Sequence, residues 1–149
     1  MLFRSVVYAT DAFAARFGGL VEDILKDFTV SAIYTVQTGQ PYNAYVSTDI
    51  NRDFNRFNDV APGTTRNEFR LPTQISFDPR VARHIDLGGA KQLTLIWEAF
   101  NLLNRTNYTV VNNTLYTASG TTLTRNPLFG QFTGQADPRI MQLAAKFSF

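Results

Sequence analysis

The sequence predicts an all-β fold of antiparallel, up-and-down strands. Three observations carry that prediction. Four segments alternate apolar and polar residues with a period of two, two of those segments are joined by a short glycine-marked turn, and the remaining connections between them are very long. At 149 residues the chain corresponds to one domain or a piece of one.

Taken in order, Leu2–Ala9 has a β-rich composition with weak alternation and is a candidate first strand. Asp11–Lys26 is a helix-bearing connection: Leu20, Val21, Ile24 and Leu25 recur at helical spacing beside Glu22, Asp23 and Lys26, and Gly18-Gly19 confines the helix to Leu20–Asp27. Phe28–Gln37 is the clearest strand. Phe28, Val30, Ala32, Tyr34 and Val36 share one face, and Thr29, Ser31, Thr35 and Gln37 share the other, with Ile33 as the apolar exception. In Ile75–Leu87 the residues Ile75, Phe77, Pro79, Val81, Ile85 and Leu87 oppose Ser76, Asp78, Arg80, His84 and Asp86. Pro79 has no ladder donor, so a bulge or local break is expected there. Asp86-Leu87-Gly88-Gly89-Ala90-Lys91 is a tight turn into Gln92–Phe100, where Leu93, Leu95, Trp97 and Ala99 oppose Gln92, Thr94 and Glu98, with Ile96 and Phe100 as exceptions. The last segment, Arg139–Phe149, sets Met141, Leu143, Ala145, Phe147 and Phe149 against Gln142, Ala144, Lys146 and Ser148.

Composition narrows the function classes. The net charge is +2, too small for a nucleic-acid footprint, so nucleic acid is not an expected partner. Only 17% of residues are charged against about 25% in an average soluble domain, and 17 Thr and 11 Asn fill the difference. No run approaches the ~18 apolar residues of a membrane-spanning helix, and the start lacks the pattern of a signal peptide. With no Cys there is no disulfide framework, thiolate metal site or Cys nucleophile. A nucleophile elbow, a phosphate-cradling Gly loop and a His-Glu zinc helix are also missing, so neither an enzyme nor a cofactor is expected. Asp49-Ile50-Asn51-Arg52-Asp53-Phe54-Asn55 places oxygen donors at every second position as a calcium loop does. Phe54 stands where that loop needs Gly and Val60 where it needs Glu, so a solvated Asx-rich loop is expected and no metal site. His84, the single His, stands in sequence near Asp78, Arg83 and Asp86 and is expected to be a solvated imidazole.

Alternation alone does not separate a soluble sheet from a membrane barrel. Strands near the ~9–11 residues that cross a bilayer at a tilt, a short turn contrasting with the connections Thr38–Thr73 and Asn101–Pro138, and a terminal aromatic on an alternating strand favour the barrel. Outer-membrane lipid is then the partner of the apolar faces. The lumen-facing set is Thr29, Ser31, Thr35, Gln37, Asp78, Arg80, His84, Thr94, Glu98, Gln142 and Lys146, with Arg80, Glu98 and Lys146 as a charged cluster on neighbouring strands.

Trp97-Glu98-Ala99-Phe100-Asn101-Leu102-Leu103-Asn104-Arg105-Thr106-Asn107-Tyr108, then Asp137-Pro138-Arg139, then Phe147-Ser148-Phe149, together with Gln37-Thr38-Gly39-Gln40-Pro41-Tyr42 upstream, resemble the C-terminal end of TonB-dependent outer-membrane receptors. The subgroup they resemble is the Oar-like receptors, and the resemblance runs from about Phe28 to Phe149. It implies bacterial outer-membrane localisation and a barrel of about 22 strands around a plug. It also implies TonB, a plug and an imported ligand as partners of the parent, and recognition of the last strand by the barrel-assembly machinery through Met141, Leu143, Phe147 and Phe149. Four or five strands are too few to close a barrel, whose smallest forms have ~8. The expectation is therefore a fragment: residues 1–27 a strand plus a helix-bearing periplasmic connection, and 28–149 the C-terminal strands of a large transmembrane barrel with extracellular loops at 38–73 and 101–138. Ligand contact would fall in Asn43–Arg70 and Tyr108–Gly134. Two other readings stay open at this level: a soluble carbohydrate-binding-like sandwich using Tyr42, Tyr45 and Tyr116, and a small autonomous barrel serving as adhesin or pore.

Overall fold

The computed structural model describes residues 2–55 and 59–149; Met1 and positions 56–58 of the first long connection lie outside the described residues. Strands carry the fold, and they fall into two compact units. The first comprises Met1–Val36, Ile75–Arg105 and Asp137–Phe149, and the second Gln37–Gln74 and Thr106–Ala136.

The first unit is built on a five-stranded sheet of β1 (Leu2–Ala9), β2 (Phe28–Gln37), β6 (Gln74–Asp86), β7 (Gln92–Phe100) and β12 (Ile140–Ser148), in the order β1-β2-β6-β7-β12. Long strands thus neighbour one another in chain order, which is the up-and-down arrangement that alternation predicted. β1 pairs antiparallel with β2 from Leu2↔Val36 to Ala9↔Thr29, so the weakly alternating first segment is a full strand. β6 and β7 run from Arg80↔Glu98 to Asp86↔Gln92, and β7 and β12 from Phe100↔Ile140 to Gln92↔Ser148. Both registers keep every apolar face on one side, because a slip of one residue would reverse it.

Two expectations are sharpened here, one at Pro79 and one at the helix. Pro79 does not break β6, which is one strand of 13 residues. The register with β7 begins just after it, at Arg80; on the other side of Pro79 the Asn101 N–H donates to the Asp78 carboxylate at 2.8 Å and the Leu102 N–H to the Phe77 carbonyl at 2.9 Å, one residue out of that register, so the irregularity expected at Pro79 lies in this ladder. The helix runs over Gly19–Leu25 as α2, preceded by the one-turn α1 at Asp11–Ala14, with Gly18 (φ +65°) between them as the break. The connection is fastened at its exit: Thr10 Oγ1 donates to the Leu25 carbonyl at 2.6 Å, and the Asp11 carboxylate accepts from the Asp27 N–H at 2.8 Å. The turn between β6 and β7 has both glycines at positive φ, and the Gly88 N–H donates to Asp86 Oδ1 at 2.8 Å.

The second unit is made of the two long connections, and both carry strands of their own. β3 (Pro41–Tyr42) pairs with β5 (Phe69–Arg70), and β8 (Tyr108–Val111) with β11 (Phe132–Gln135). β4 (Tyr45–Val46) joins β9 (Thr114–Ser119) in parallel, with β10 (Thr122–Arg125) on the far side of β9. Ala44, Val46, Ala61 and Leu115 form a small buried cluster against which Phe69, Tyr116, Ala118 and Phe129 pack. These intervals are therefore a packed unit with a core, whereas Asn- and Thr-rich composition alone reads as open loop.

Candidate functional site

The polar face of the five-stranded sheet brings most of the expected lumen-facing residues into register. Arg80 lies directly opposite Glu98, which lies opposite Gln142. The three side chains join in one row: Arg80 Nε stands 3.2 Å from Glu98 Oε1, and the Gln142 amide donates to Glu98 Oε2. The Arg80 side chain is 50% exposed, so the ion pair fixes register more than it adds stability; exposed pairs contribute about 0–1 kcal/mol. Lys146 is not a member of this cluster. It pairs with Thr94, four positions along β12 from Gln142, so the third place in the row belongs to an amide.

A second polar row crosses the sheet toward the β6–β7 turn. His84 Nε2 lies 3.4 Å from Thr29 Oγ1 and Nδ1 lies 3.3 Å from Thr94 Oγ1, so one imidazole on β6 bridges a hydroxyl on β2 and a hydroxyl on β7. Its sequence neighbours do not share this place. Asp78 accepts from Ser76 Oγ and from the Asn101 N–H, and Arg83 is on the opposite face with its guanidinium 5.2 Å from the Phe28 ring centroid. Ser31 lies opposite Val7 and Thr35 opposite residue 3 on β1, on the same face as Thr29; Gln37 closes β2.

Sequence reasoning missed Asn101. It is 6% exposed, sits at φ +49° and ties two stretches of chain together: its amide donates to the Arg105 carbonyl at 2.9 Å and to the Asp137 carbonyl at 3.3 Å, while its Oδ1 accepts from the Arg105 N–H at 3.1 Å. Asn104, also at φ +49°, accepts from the Arg139 N–H at 3.2 Å. Asn tolerates this left-handed conformation better than other L residues. The signal was present as two Asn three residues apart after an alternating strand, and the Asn101–Arg105 and Asp137-Pro138-Arg139 runs are two halves of one fastening.

The opposite face of the sheet is apolar and open. Leu143 is 83% exposed, Met141 56%, Phe147 52% and Phe149 91%, and the Phe147 and Phe149 rings lie 5.9 Å apart. Among the described residues no bulky side chain is fully buried, so nothing packs this face as a soluble sandwich would.

In the second unit, Asp49 accepts from the Phe54 N–H at 2.7 Å and the Asp53 N–H at 3.2 Å, and Asn51 and Asp53 make further Asx contacts. Those oxygens serve the backbone, as Asx-turn chemistry predicts. Among the described residues no group of three or more His, Cys, Asp or Glu side chains is placed to hold a metal. Tyr42 stacks on Phe69 at 5.6 Å, and Phe69 meets Phe129 edge-on at 5.1 Å. Burial pushes the Tyr42 hydroxyl above its ordinary pKa.

A family model described as an outer membrane beta barrel domain matches residues 2–142. No curated protein and no solved structure matches the chain.

Proposed function

Given that this chain belongs to the outer membrane beta-barrel domain family and is a protein of the bacterial outer membrane, we propose that it forms part of the wall of a TonB-dependent, Oar-like transporter. In this reading the polar face carrying Arg80, Glu98, Gln142, Thr29, His84 and Thr94 lines the lumen beside a plug. The open apolar face meets lipid, and the second unit is the extracellular part that meets the ligand before import. The role is passage and recognition rather than chemistry on the ligand.

The observation that carries the reading is the sheet's pattern of exposure. One face is polar and cross-linked strand to strand, the other is apolar with nothing on it, and the outer edges of β1 and β12 have no partner strand among the described residues. Unpaired edges in lipid cost several kcal/mol per backbone group, so this sheet must continue into further strands. The short β6–β7 turn at one end and the long strand-bearing connections at the other match the periplasmic and extracellular sides of such a wall. Resemblance at Trp97–Tyr108, Asp137-Pro138-Arg139 and Gln37–Tyr42 supplies the finer assignment to TonB-dependent receptors.

The test is co-purification of the protein from outer membranes with the periplasmic C-terminal domain of TonB. Retention of that domain by the detergent-solubilised protein, increased when culture medium containing the scarce nutrient is supplied, supports the assignment. A folded, outer-membrane-located protein that never retains it assigns the barrel to a pore or adhesin.

A further inference from the structure

The connection between β1 and β2 is folded with the polarity of its surfaces reversed. α1 buries Ala14 completely and α2 half-buries Glu22, whereas Phe13, Phe17, Leu20, Val21 and Ile24 are 42–76% exposed. A helix packed on a protein in water turns its apolar side inward. Leu20, Val21 and Ile24 share one face of α2 by helical spacing, and the Phe13 and Phe17 rings meet edge-on at 5.1 Å. The connection is also fastened at both ends. The Thr10 N–H donates to the Phe28 carbonyl at 3.0 Å, Thr10 Oγ1 donates to the Leu25 carbonyl, and the His84 N–H donates to the Asp27 carbonyl at 2.8 Å. These bonds hold it at the strand ends beside the β6–β7 turn.

Resting on the reading of that end of the sheet as the periplasmic side of the wall, we infer that α1 and α2 lie in the headgroup boundary of the inner leaflet, their outward apolar side chains inserted in lipid. Three arguments select a lipid surface as the occupant. The family places the chain in the outer membrane, so the ends of its crossing strands stand at the level of the headgroups. The seven residues of α2 rise about 10 Å, so a helix fastened at the strand ends keeps its side chains within reach of the ~5–10 Å that interfacial helices penetrate. Area separates lipid from a second copy of the chain. Five side chains open to this degree offer on the order of 500 Å², short of the ~800 Å² per partner of a stable protein interface. Insertion in lipid has no such minimum, because it gains with each apolar group buried.

The experiment attaches a nitroxide label through single Cys substitutions in the full-length protein, reconstituted in liposomes of phosphatidylethanolamine and phosphatidylglycerol. Collision of the label with oxygen, which concentrates in lipid, is compared with collision with a water-soluble nickel chelate. Leu20→Cys and Ile24→Cys report the outward face of α2, Lys91→Cys in the β6–β7 turn is the reference for water, and Leu143→Cys is the reference for lipid. All four sites are exposed, so the label displaces no packing. Relative to the Lys91 site, oxygen collision is expected to rise and chelate collision to fall at positions 20 and 24, toward the values at 143. Labels at 20 and 24 as open to the chelate as the one at 91 put the helix in water and overturn the inference. Labels shielded from both reagents put it under protein, a plug or a second copy, and overturn it as well. A label at 143 outside lipid removes this inference together with the proposed function, whereas a label at 143 in lipid beside a solvated or protein-covered α2 removes this inference alone.

Discussion

Placing an arginine at Leu143, and in a second variant at Gln142, tests which face of the sheet meets lipid. These neighbours sit at one depth on β12 and point to opposite faces. Leu143 pairs with Trp97, which pairs with Val81, and it is 83% exposed. The Tyr34–Phe77 ring pair and the row of Ile85, Leu93 and Phe147 stand four residues on either side of that level. Four residues are about 13 Å of strand, or about 9 Å of depth at a 45° tilt, so the Leu143 row is close to the middle of a ~25 Å apolar band. An arginine there should destabilise the inserted barrel by about 2–4 kcal/mol. At Gln142 the new guanidinium would stand beside Glu98, replacing an amide that already donates to it, and the change should stay within about 1 kcal/mol. Reversible urea unfolding of the full-length protein in liposomes measures both. Equal losses at the two positions, or a larger loss at Gln142, would refute the assignment of faces.

Four further outcomes follow from the same geometry. Gly39→Ala should destabilise the second unit by roughly 1–3 kcal/mol or more, because its Cβ would stand 1.6 Å from the buried Leu71 carbonyl oxygen; protease sensitivity of that unit is the check. Asn101→Ala should cost about 1 kcal/mol by leaving the Arg105 and Asp137 carbonyls and the Arg105 N–H without it, and should loosen hydrogen-exchange protection around Asp137 while sparing the β6–β7 turn. The Tyr42 phenol should titrate above its unfolded value; its stabilising contribution is complete below pH ~10 and fades as pH rises through the folded pKa, which phenolate absorbance of wild type against Tyr42→Phe reports. Phe147→Ser combined with Phe149→Ser should lower outer-membrane levels far more than the stability of barrels already inserted, and unchanged levels on fractionation would remove the assembly role from this strand.

Much of the first unit was legible because a strand's period of two is written directly into side-chain polarity. β2 and β7 carry the boundaries that alternation gave them, and Arg80 and Glu98 meet because both lie on the polar phase of adjoining strands. Lys146 has the same phase yet is absent from the row, since phase says which face a residue takes and only register says how far along the strand it stands. Arg83 stands beside His84 in sequence yet takes the apolar phase with Val81 and Ile85, so neighbours in the chain lie on opposite faces of the strand. The second unit was illegible in detail. Two-residue strands such as Pro41–Tyr42 and Phe69–Arg70 are too short to show a period, and their paired residues lie 29 and 27 positions apart in sequence. Its core is assembled from Ala44, Val46, Ala61 and Leu115, small or isolated residues with no shared periodicity.

The edges decide what kind of object this sheet is. β12 spans nine residues and is bonded to β7 on one side only. In an antiparallel ladder alternate residues direct both backbone groups to the same side, so its outer edge presents about four or five residues with unpaired N–H and C=O groups. β1, with eight residues, presents about as many on the other edge. In water such edges are tolerable. In the outer membrane, where the family places this chain, each unpaired group costs several kcal/mol, and the two edges together would cost tens of kcal/mol. No interaction described within the sheet approaches that sum: the Arg80–Glu98 pair is worth about 1 kcal/mol at most. Pairing with additional strands is therefore a condition for residence in lipid. Whether those strands come from the same polypeptide or from other copies is read directly from the mass of the folded, unboiled species on a denaturing gel: one polypeptide refutes assembly from copies, and a multiple of the chain's mass refutes the single large barrel.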